Sequence, residues 1–154
     1  MALSMWQACQ EGNLAEMMAA IQRGEDVNRK MRNSLTGLMT ALRFAQNPLV
    51  RLFLAQSSVD LNCTDSLSRT ALHWAAEYDN AEGVQLLLDD PRLTSASHKD
   101  NCGRTPVMKA MFYNRVNALR KLVAHPCVDL NTRDNYGRSL EQVARQVFKL
   151  IETR

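Results

Sequence analysis

Apolar positions recur along this chain with a period near 3.6 inside short segments, and the segments themselves recur every 34 or 35 positions. Leu72, Ala75 and Ala76 fall on one face of a short helix, because positions three and four apart share a side. Val84, Leu86, Leu87 and Leu88 then fill a second helix. The stretch Thr70-Ala71-Leu72-His73-Trp74-Ala75-Ala76 returns 35 positions on as Thr105-Pro106-Val107-Met108-Lys109-Ala110-Met111. It returns a further 34 on as Ser139-Leu140-Glu141-Gln142-Val143-Ala144, and stands 34 earlier as Thr36-Gly37-Leu38-Met39-Thr40-Ala41-Leu42. The second segments align as well, with Val50-Arg51-Leu52-Phe53-Leu54 and Leu119-Arg120-Lys121-Leu122-Val123 matching Val84 to Leu88. A repeat of this length marks a solenoid, in which each unit buries its apolar face only against its neighbours.

The polar positions punctuate the units. Thr36, Thr70, Thr105 and Ser139 share a slot where a hydroxyl caps free N–H groups at a helix start. Ala8, Ala41, Ala75, Ala110 and Ala144 share a slot where a methyl group lets neighbouring helices approach closely. Asn47-Pro48 reads as a cap followed by proline at the first helical position. Turn clusters surround Asp65, Asp100 and Asp134, and Gly103 and Gly137 supply the positive φ that a tight turn needs. Ser34 and Ser68 hold that slot without glycine, so those two turns are expected to be looser. In the first unit, helix runs up to a stop at Gly12 and resumes over 14–22. In the last, the second segment, 147–151, has no turn before it. It either extends one capping helix or marks a chain cut from a larger protein. The reading is a single all-α domain over 1–154, in units of approximately 1–29, 30–63, 64–98, 99–132 and 133–154.

Composition narrows the class. A hydrophobic fraction of 45% and a charged fraction of 23% are ordinary for a globular chain, and no apolar run reaches the length of a membrane span. The first ten residues lack the basic leader and apolar stretch of a signal peptide. The four cysteines (Cys9, Cys63, Cys102, Cys127) are dispersed with no C-x-x-C pair, which reads as reduced thiols in an intracellular protein, cytoplasmic or nuclear. A net charge of +3 is too small to argue for nucleic acid by itself.

These residues resemble the ankyrin repeat family. Its pattern is an aspartate, two variable residues, a glycine, one variable residue, then Thr-Pro-Leu-His and Ala-Ala, followed by a leucine-rich helix and a turn ending in Val-Asn. Asp65 to Ala76 matches with Ser68 for glycine and Ala71 for proline, and Asp100 to Ala110 matches with Met108 for histidine. The unit around 31–42 lacks the aspartate, glycine, proline and histidine, and Ala45-Gln46 replaces the usual glycine break between its helices. It is therefore the expected weak unit of the stack. The resemblance spans about 5–151 and implies a helix-turn-helix solenoid with short β-turn or hairpin loops.

Under that resemblance, the candidates for other chemistry fall into structural slots. His73 sits where the family's histidine hydrogen-bonds backbone across adjacent turns. Trp74 takes a slot that is usually leucine, facing the second helix. His98 with Cys102 and His125 with Cys127 are the closest metal-ligand pairs, short of the four ligands that zinc wants. No nucleophile triad, phosphate loop or paired carboxylate motif is left over, so neither catalysis nor a cofactor, metal or small-molecule substrate is expected.

What remains is a surface. In an ankyrin-like stack, the turn tips and the exposed side of the first helices form a concave groove. The residues expected to meet a protein partner there are Phe44, Glu77, Tyr78, Phe112 and Tyr113, the tip residues Leu67 and Tyr136, and the aligned row Arg69, Arg104 and Arg138. The alternative for the rings is to fold back onto neighbouring turns. Two other functions stay open at this point: a stand-alone inhibitor of an enzyme such as a kinase, by analogy of size, and a binder of nucleic acid or lipid head groups through the arginine row. The resemblance also implies that Asn62, and after it Asn131, are candidates for asparaginyl hydroxylation, with Asp60-Leu61 before Asn62 and Leu54 eight positions upstream.

Overall fold

Each stretch that opens on a hydroxyl residue folds as a short helix, and each leucine-rich segment folds back against it. The structure is a computed structural model describing residues 5–152, with side chains described over 5–146. Its helices are α1 (Met5–Glu11), α2 (Leu14–Gln22), α3 (Gly37–Arg43), α4 (Asn47–Leu54), α5 (Ala71–Glu77), α6 (Ala81–Leu88), α7 (Pro106–Phe112), α8 (Val116–Ala124) and α9 (Leu140–Glu152). The odd-numbered helices pack in one row, α1 on α3, α3 on α5, α5 on α7 and α7 on α9. The even-numbered helices pack in a second row, α2 on α4, α4 on α6 and α6 on α8. Among the described residues there is no strand, only an isolated antiparallel bridge between Arg133 and Ser139. The final segment, 147–151, is continuous with α9 and forms no separate helix.

The core lies between the two rows. Leu38, Leu72 and Val107 from the odd helices meet Phe53, Leu87 and Leu122 from the even ones, all fully buried. Each such side chain contributes about 1.5–3 kcal/mol by leaving water. Ala8, Ala41, Ala75 and Ala110 are likewise sealed, as a close helix–helix approach requires. The hydroxyl caps form as the pattern predicts: Thr36 Oγ1 accepts the Met39 N–H at 3.3 Å and Ser139 Oγ the Gln142 N–H at 3.3 Å. Asn47 does not cap α4. Gln46 is the cap residue, and the Asn47 side-chain amide instead donates to Glu82 across the interface at 2.9 Å.

Two ladders lock unit to unit. In the tips, the Ser66, Asn101 and Asn135 N–H groups donate to the carbonyls of Asn33, Leu67 and Cys102 at 3.0–3.1 Å. At the other end of the odd helices, the aligned side chains of Gln46, Asn80 and Arg115 donate to the carbonyls of Gln10, Leu42 and Glu77. Those carbonyls lie in the last turn of their helices, where the i+4 partner is missing, so the neighbouring unit caps them. Ser34 and Ser68 both adopt φ 58, beside φ 73 and 72 for Gly103 and Gly137 in the same slot. Both serines thus keep the left-handed conformation of the glycine slot. The tip ladder holds both serines in the left-handed region, at roughly 1–2 kcal/mol each.

Candidate functional site

Three aligned slots converge where the turns meet the odd helices. The tip slot holds Leu35, Arg69, Arg104 and Arg138; the helix slot holds Thr40, Trp74 and Lys109; the helix ends hold Arg43-Phe44, Glu77-Tyr78 and Phe112-Tyr113. Because all ride on the same backbone frame, the side chains differ from unit to unit while their positions do not.

In the third unit the slots close into one cluster. Asp65 Oδ1 accepts the N–H groups of Leu67 and Arg69 at 2.8 and 2.9 Å. Its Oδ2 accepts Arg69 Nε at 2.8 Å and the Trp74 indole N–H at 3.1 Å. The Arg69 guanidinium lies 3.9 Å over the Trp74 ring, and Trp74 stacks on Tyr78 with centroids 5.7 Å apart. Trp74 is buried as expected, but its polar and ring partners lie on the turn side rather than on the second helix. Arg43 reaches in from the preceding unit, 5.3 Å over both Phe44 and Tyr78.

Glu77 joins this cluster to the fourth unit. Its carboxylate lies 3.4 Å from Arg69 Nη1 and 3.2 Å from Lys109 Nζ, and Lys109 is also 3.7 Å from Asp100. Lys109 is buried in the slot that holds Trp74 one unit earlier, and it is neutralised there by those two carboxylates. Phe112 and Tyr113 meet edge-to-face at 5.2 Å; Arg104 lies 4.5 Å over Phe112, and Lys109 lies 5.5 Å over Tyr113. Arg69 and Glu77 are therefore compensated within the molecule, whereas Arg104 makes no ion pair among the described residues. Phe44, Tyr78, Phe112 and Tyr113 each leave more than a third of their surface to solvent, although Tyr78 and Tyr113 also fold partly against neighbours.

Tyr136 and Arg138 form a separate cluster. Arg138 bonds Asp134 at 2.6 Å and Gln146 at 2.6 Å and lies 4.9 Å over Tyr136, which is 74% exposed. Burial alone would raise the Asp134 pKa. The Arg138 side chain and the N–H groups of Arg138 and Tyr136 outweigh it and hold the carboxyl below its usual range. Leu67 stands exposed at its tip.

The second unit departs from the rest, with a consequence that periodicity does not announce. Met31 stands in the slot of Asp65, Asp100 and Asp134, and Leu35 stands in the slot of Arg69. The backbone bond is kept: Met31 N–H donates to Leu35 O at 2.8 Å, as Asp65 N–H does to Arg69 O at 3.0 Å. With no ion pair to fill the space, a cleft of about 480 Å³ opens between Trp6, Met31, Arg32, Asn33, Leu35 and Arg43. A second cleft of about 260 Å³ adjoins it, lined by Met5, Trp6, Arg29, Lys30 and Met31. The signal for it in the repeats is an apolar pair at two otherwise charged slots.

The remaining candidates fall where their local bonds put them. His73 accepts the Thr70 N–H at Nδ1 (3.1 Å) and donates from Nε2 to the Arg104 carbonyl of the next turn at 2.9 Å. Burial lowers its pKa to about 4, so it is neutral at pH 7. Cys9 is buried, which pushes its thiol up to about 12. Among the described residues no group of three or more His, Cys, Asp or Glu is placed to hold a metal, and no helix is long and apolar enough to cross a membrane. The Asn62 side chain bridges units, accepting from the Thr94 N–H and Oγ1 at 3.0 and 2.9 Å and donating to the Arg92 carbonyl at 2.9 Å. Asn131 is exposed.

Comparison with known proteins agrees with this architecture. The family model for ankyrin repeats, in three copies, matches residues 5–97. An ankyrin repeat protein of fowlpox virus is 35% identical over 118 residues, covering 75% of this chain and 34% of the viral protein. Serine/threonine-protein kinase 12 of Arabidopsis thaliana is 39% identical over 72 residues, 47% of this chain and 15% of the kinase. The human neurogenic locus notch homolog protein 1 is 31% identical over 88 residues, 57% of this chain and 3% of its own length. The chain thus spans about a third or less of the curated relatives it matches. Ankyrin repeats serve in general as protein–protein interaction modules. The repeated slots, the two helix rows and the family match over 5–97 make this chain a member of the ankyrin repeat family.

Proposed function

We propose that this chain is a non-catalytic binding module that holds a protein partner in the groove between its turn tips and its odd-numbered helices. Tyr78, Phe112 and Tyr113 are its central anchors, with Arg69 and Arg104 beside them. The observation that carries this reading is the continuity of the cluster: Arg43 lies over Tyr78, and the neighbouring Glu77 pairs with Lys109, which lies under Tyr113, so the chain of contacts crosses three units. Half-exposed rings braced by cations are rigid before binding, so little side-chain entropy is lost on contact. Exposed aromatics and arginines are also the residue types that dominate interface energies. Arg69 acts by holding Trp74 beneath Tyr78, and Arg104 by presenting an uncompensated charge. The dispersed cysteines favour an intracellular setting for that partner.

The test compares wild type with Tyr78→Ala/Tyr113→Ala in proximity labelling inside cells. Partners labelled by wild type and lost from the double variant, with helical circular dichroism unchanged, support the groove. An identical partner set for both proteins sinks it. Asn62 and Asn131 remain the proposed hydroxylation sites. The bonds of Asn62 to Thr94 and Arg92 mean that the enzyme must first pull adjacent units apart there, whereas exposed Asn131 needs no such opening. Incubation with the hydroxylase and 2-oxoglutarate, then peptide mass spectrometry, ranks the two.

A further inference from the structure

We infer that the cleft at the turn of the second unit takes a bulky apolar side chain flanked by carboxylates, on an extended segment of a protein partner. This deepens the groove reading and rests on it, because Arg43 belongs both to the cleft wall and to the Tyr78 platform. The floor is apolar: Met31 and Leu35 replace an aspartate and an arginine, and Trp6 closes one side while 43% exposed. A volume of about 480 Å³ lies inside the range of roughly 300–1,000 Å³ typical of sites that bury a ligand.

The rim sets the chemistry of the occupant. Arg32 and Arg43 border the larger cleft and Arg29 and Lys30 the smaller, and among the described residues no lining residue of either is acidic. Among the described residues none of these four cations is in an ion pair, whereas Arg69, Lys109 and Arg138 in the later units all are. Lys30 reaches only a carbonyl, that of Thr64 at 3.2 Å, and Arg43 only aromatic rings. Two uncompensated cations on the larger cleft and two on the smaller one beside it complement a segment that pairs carboxylates with one large apolar residue. A single-stranded nucleic acid fits less well. It is held by successive bases stacked on exposed rings, and here one ring faces aliphatic walls.

The test selects binders to the full chain from a random dodecapeptide display library, then measures the synthesised peptides by fluorescence anisotropy. The selected sequences are expected to place Asp or Glu beside Leu, Met, Phe or Trp. Trp6→Ala should weaken them about tenfold or more. Lys30→Glu/Arg32→Glu should make the same library yield basic peptides instead, a reversal that loss of structure would not produce. Circular dichroism controls for folding, and Arg32→Ala, with a smaller loss, serves as the milder variant. Peptides without acidic enrichment, or acidic peptides unaffected by Trp6→Ala and by the charge reversal, would overturn the inference. So would a single-stranded DNA oligonucleotide that binds more tightly and displaces them. Tyr78→Ala/Tyr113→Ala separates the two readings. Peptides that depend on Trp6 but not on the tyrosines support the cleft and break the groove reading. Peptides that depend on the tyrosines but not on Trp6 do the opposite.

Discussion

The turns of the second and third units are closed by the same bond and differ in what hangs from it and in local backbone, since Asn33 and Ser34 both take positive φ (57 and 58) where the third unit has only Ser68 there. In the third, Asp65 collects two N–H groups, a guanidinium and an indole, and Arg69 and Trp74 pack down onto one another. In the second, Met31 and Leu35 keep the same cross-turn bond and leave an open apolar hollow. One cross-turn bond thus closes both a filled, self-satisfied turn and an unfilled one thirty-four positions apart. In a solenoid the unit-to-unit ladders carry the architecture, and the tip slots are free to vary toward stability or toward binding.

The largest expected difference between the two turns is energetic. Asp65→Ala orphans two N–H groups and the mostly buried Arg69, and should lower stability by about 3–5 kcal/mol. Met31→Ala, at a half-exposed position, should lower it by far less. Urea unfolding midpoints of both variants check this, and equal shifts would erase the contrast.

A pH difference comes next. Where the third unit has His73, the second and fourth have Met39 and Met108. Burial depresses the folded pKa of His73 from 6.5 to about 4. The unfolded chain therefore takes up the proton first as pH falls. The stability that neutral His73 contributes is complete above pH 6.5 and is lost between there and about 4. Between pH 7.5 and 4.5 the wild type should lose about 2–3 kcal/mol more than His73→Met. Parallel losses in the two proteins would mean that His73 is not the group responsible.

Backbone strain gives a smaller effect. Ser34, Ser68 and Ala45 sit at φ 58, 58 and 52. Replacing any of them with glycine should stabilise the fold by about 1 kcal/mol. The aligned Asp79, φ 57, should behave differently, because its carboxylate caps α8 through the Ala118 N–H at 2.8 Å. Asp79→Gly should relieve the same strain but lose that bond, leaving no net gain. Thermal denaturation of the four variants separates strain from capping.

The smallest effect is local. The Leu67 N–H is accepted by Asp65, and the equivalent Asn33 N–H has no carboxylate at that slot. Hydrogen exchange at Asn33 should be severalfold faster than at Leu67, and faster across 31–55 than across 70–88. Protection of Asn33 equal to that of Leu67 would show that the second unit is not the weak one.

Much of this architecture is legible in the residue pattern because it is set by short-range rules. Helix spacing, hydroxyl caps and the alanine slot follow from neighbours within four positions. The bond from His73 to the Arg104 carbonyl is legible because it belongs to a family slot rather than to local sequence. The cap of α4 falls one residue from its expected place, at Gln46, in the same repeat register as the caps Asn80 and Arg115 of α6 and α8. That Ser34 and Ser68 keep the left-handed conformation without glycine is likewise not legible locally, because the tip ladder bonds their turns to the adjacent unit.

By itself, then, the sequence determined the repeat, the helix pairs, the buried face of each helix and which positions share a slot, all consequences of periodicity and of apolar residues leaving water. The tertiary structure alone decided what each slot residue does with its neighbours. It turned Trp74 toward Asp65 and Arg69, neutralised buried Lys109 between Glu77 and Asp100, and left Arg32, Arg43 and Arg104 without a carboxylate among the described residues. Ion pairs and ring contacts between units join side chains some thirty positions apart, and stacking the units is what brings those positions within a few ångströms.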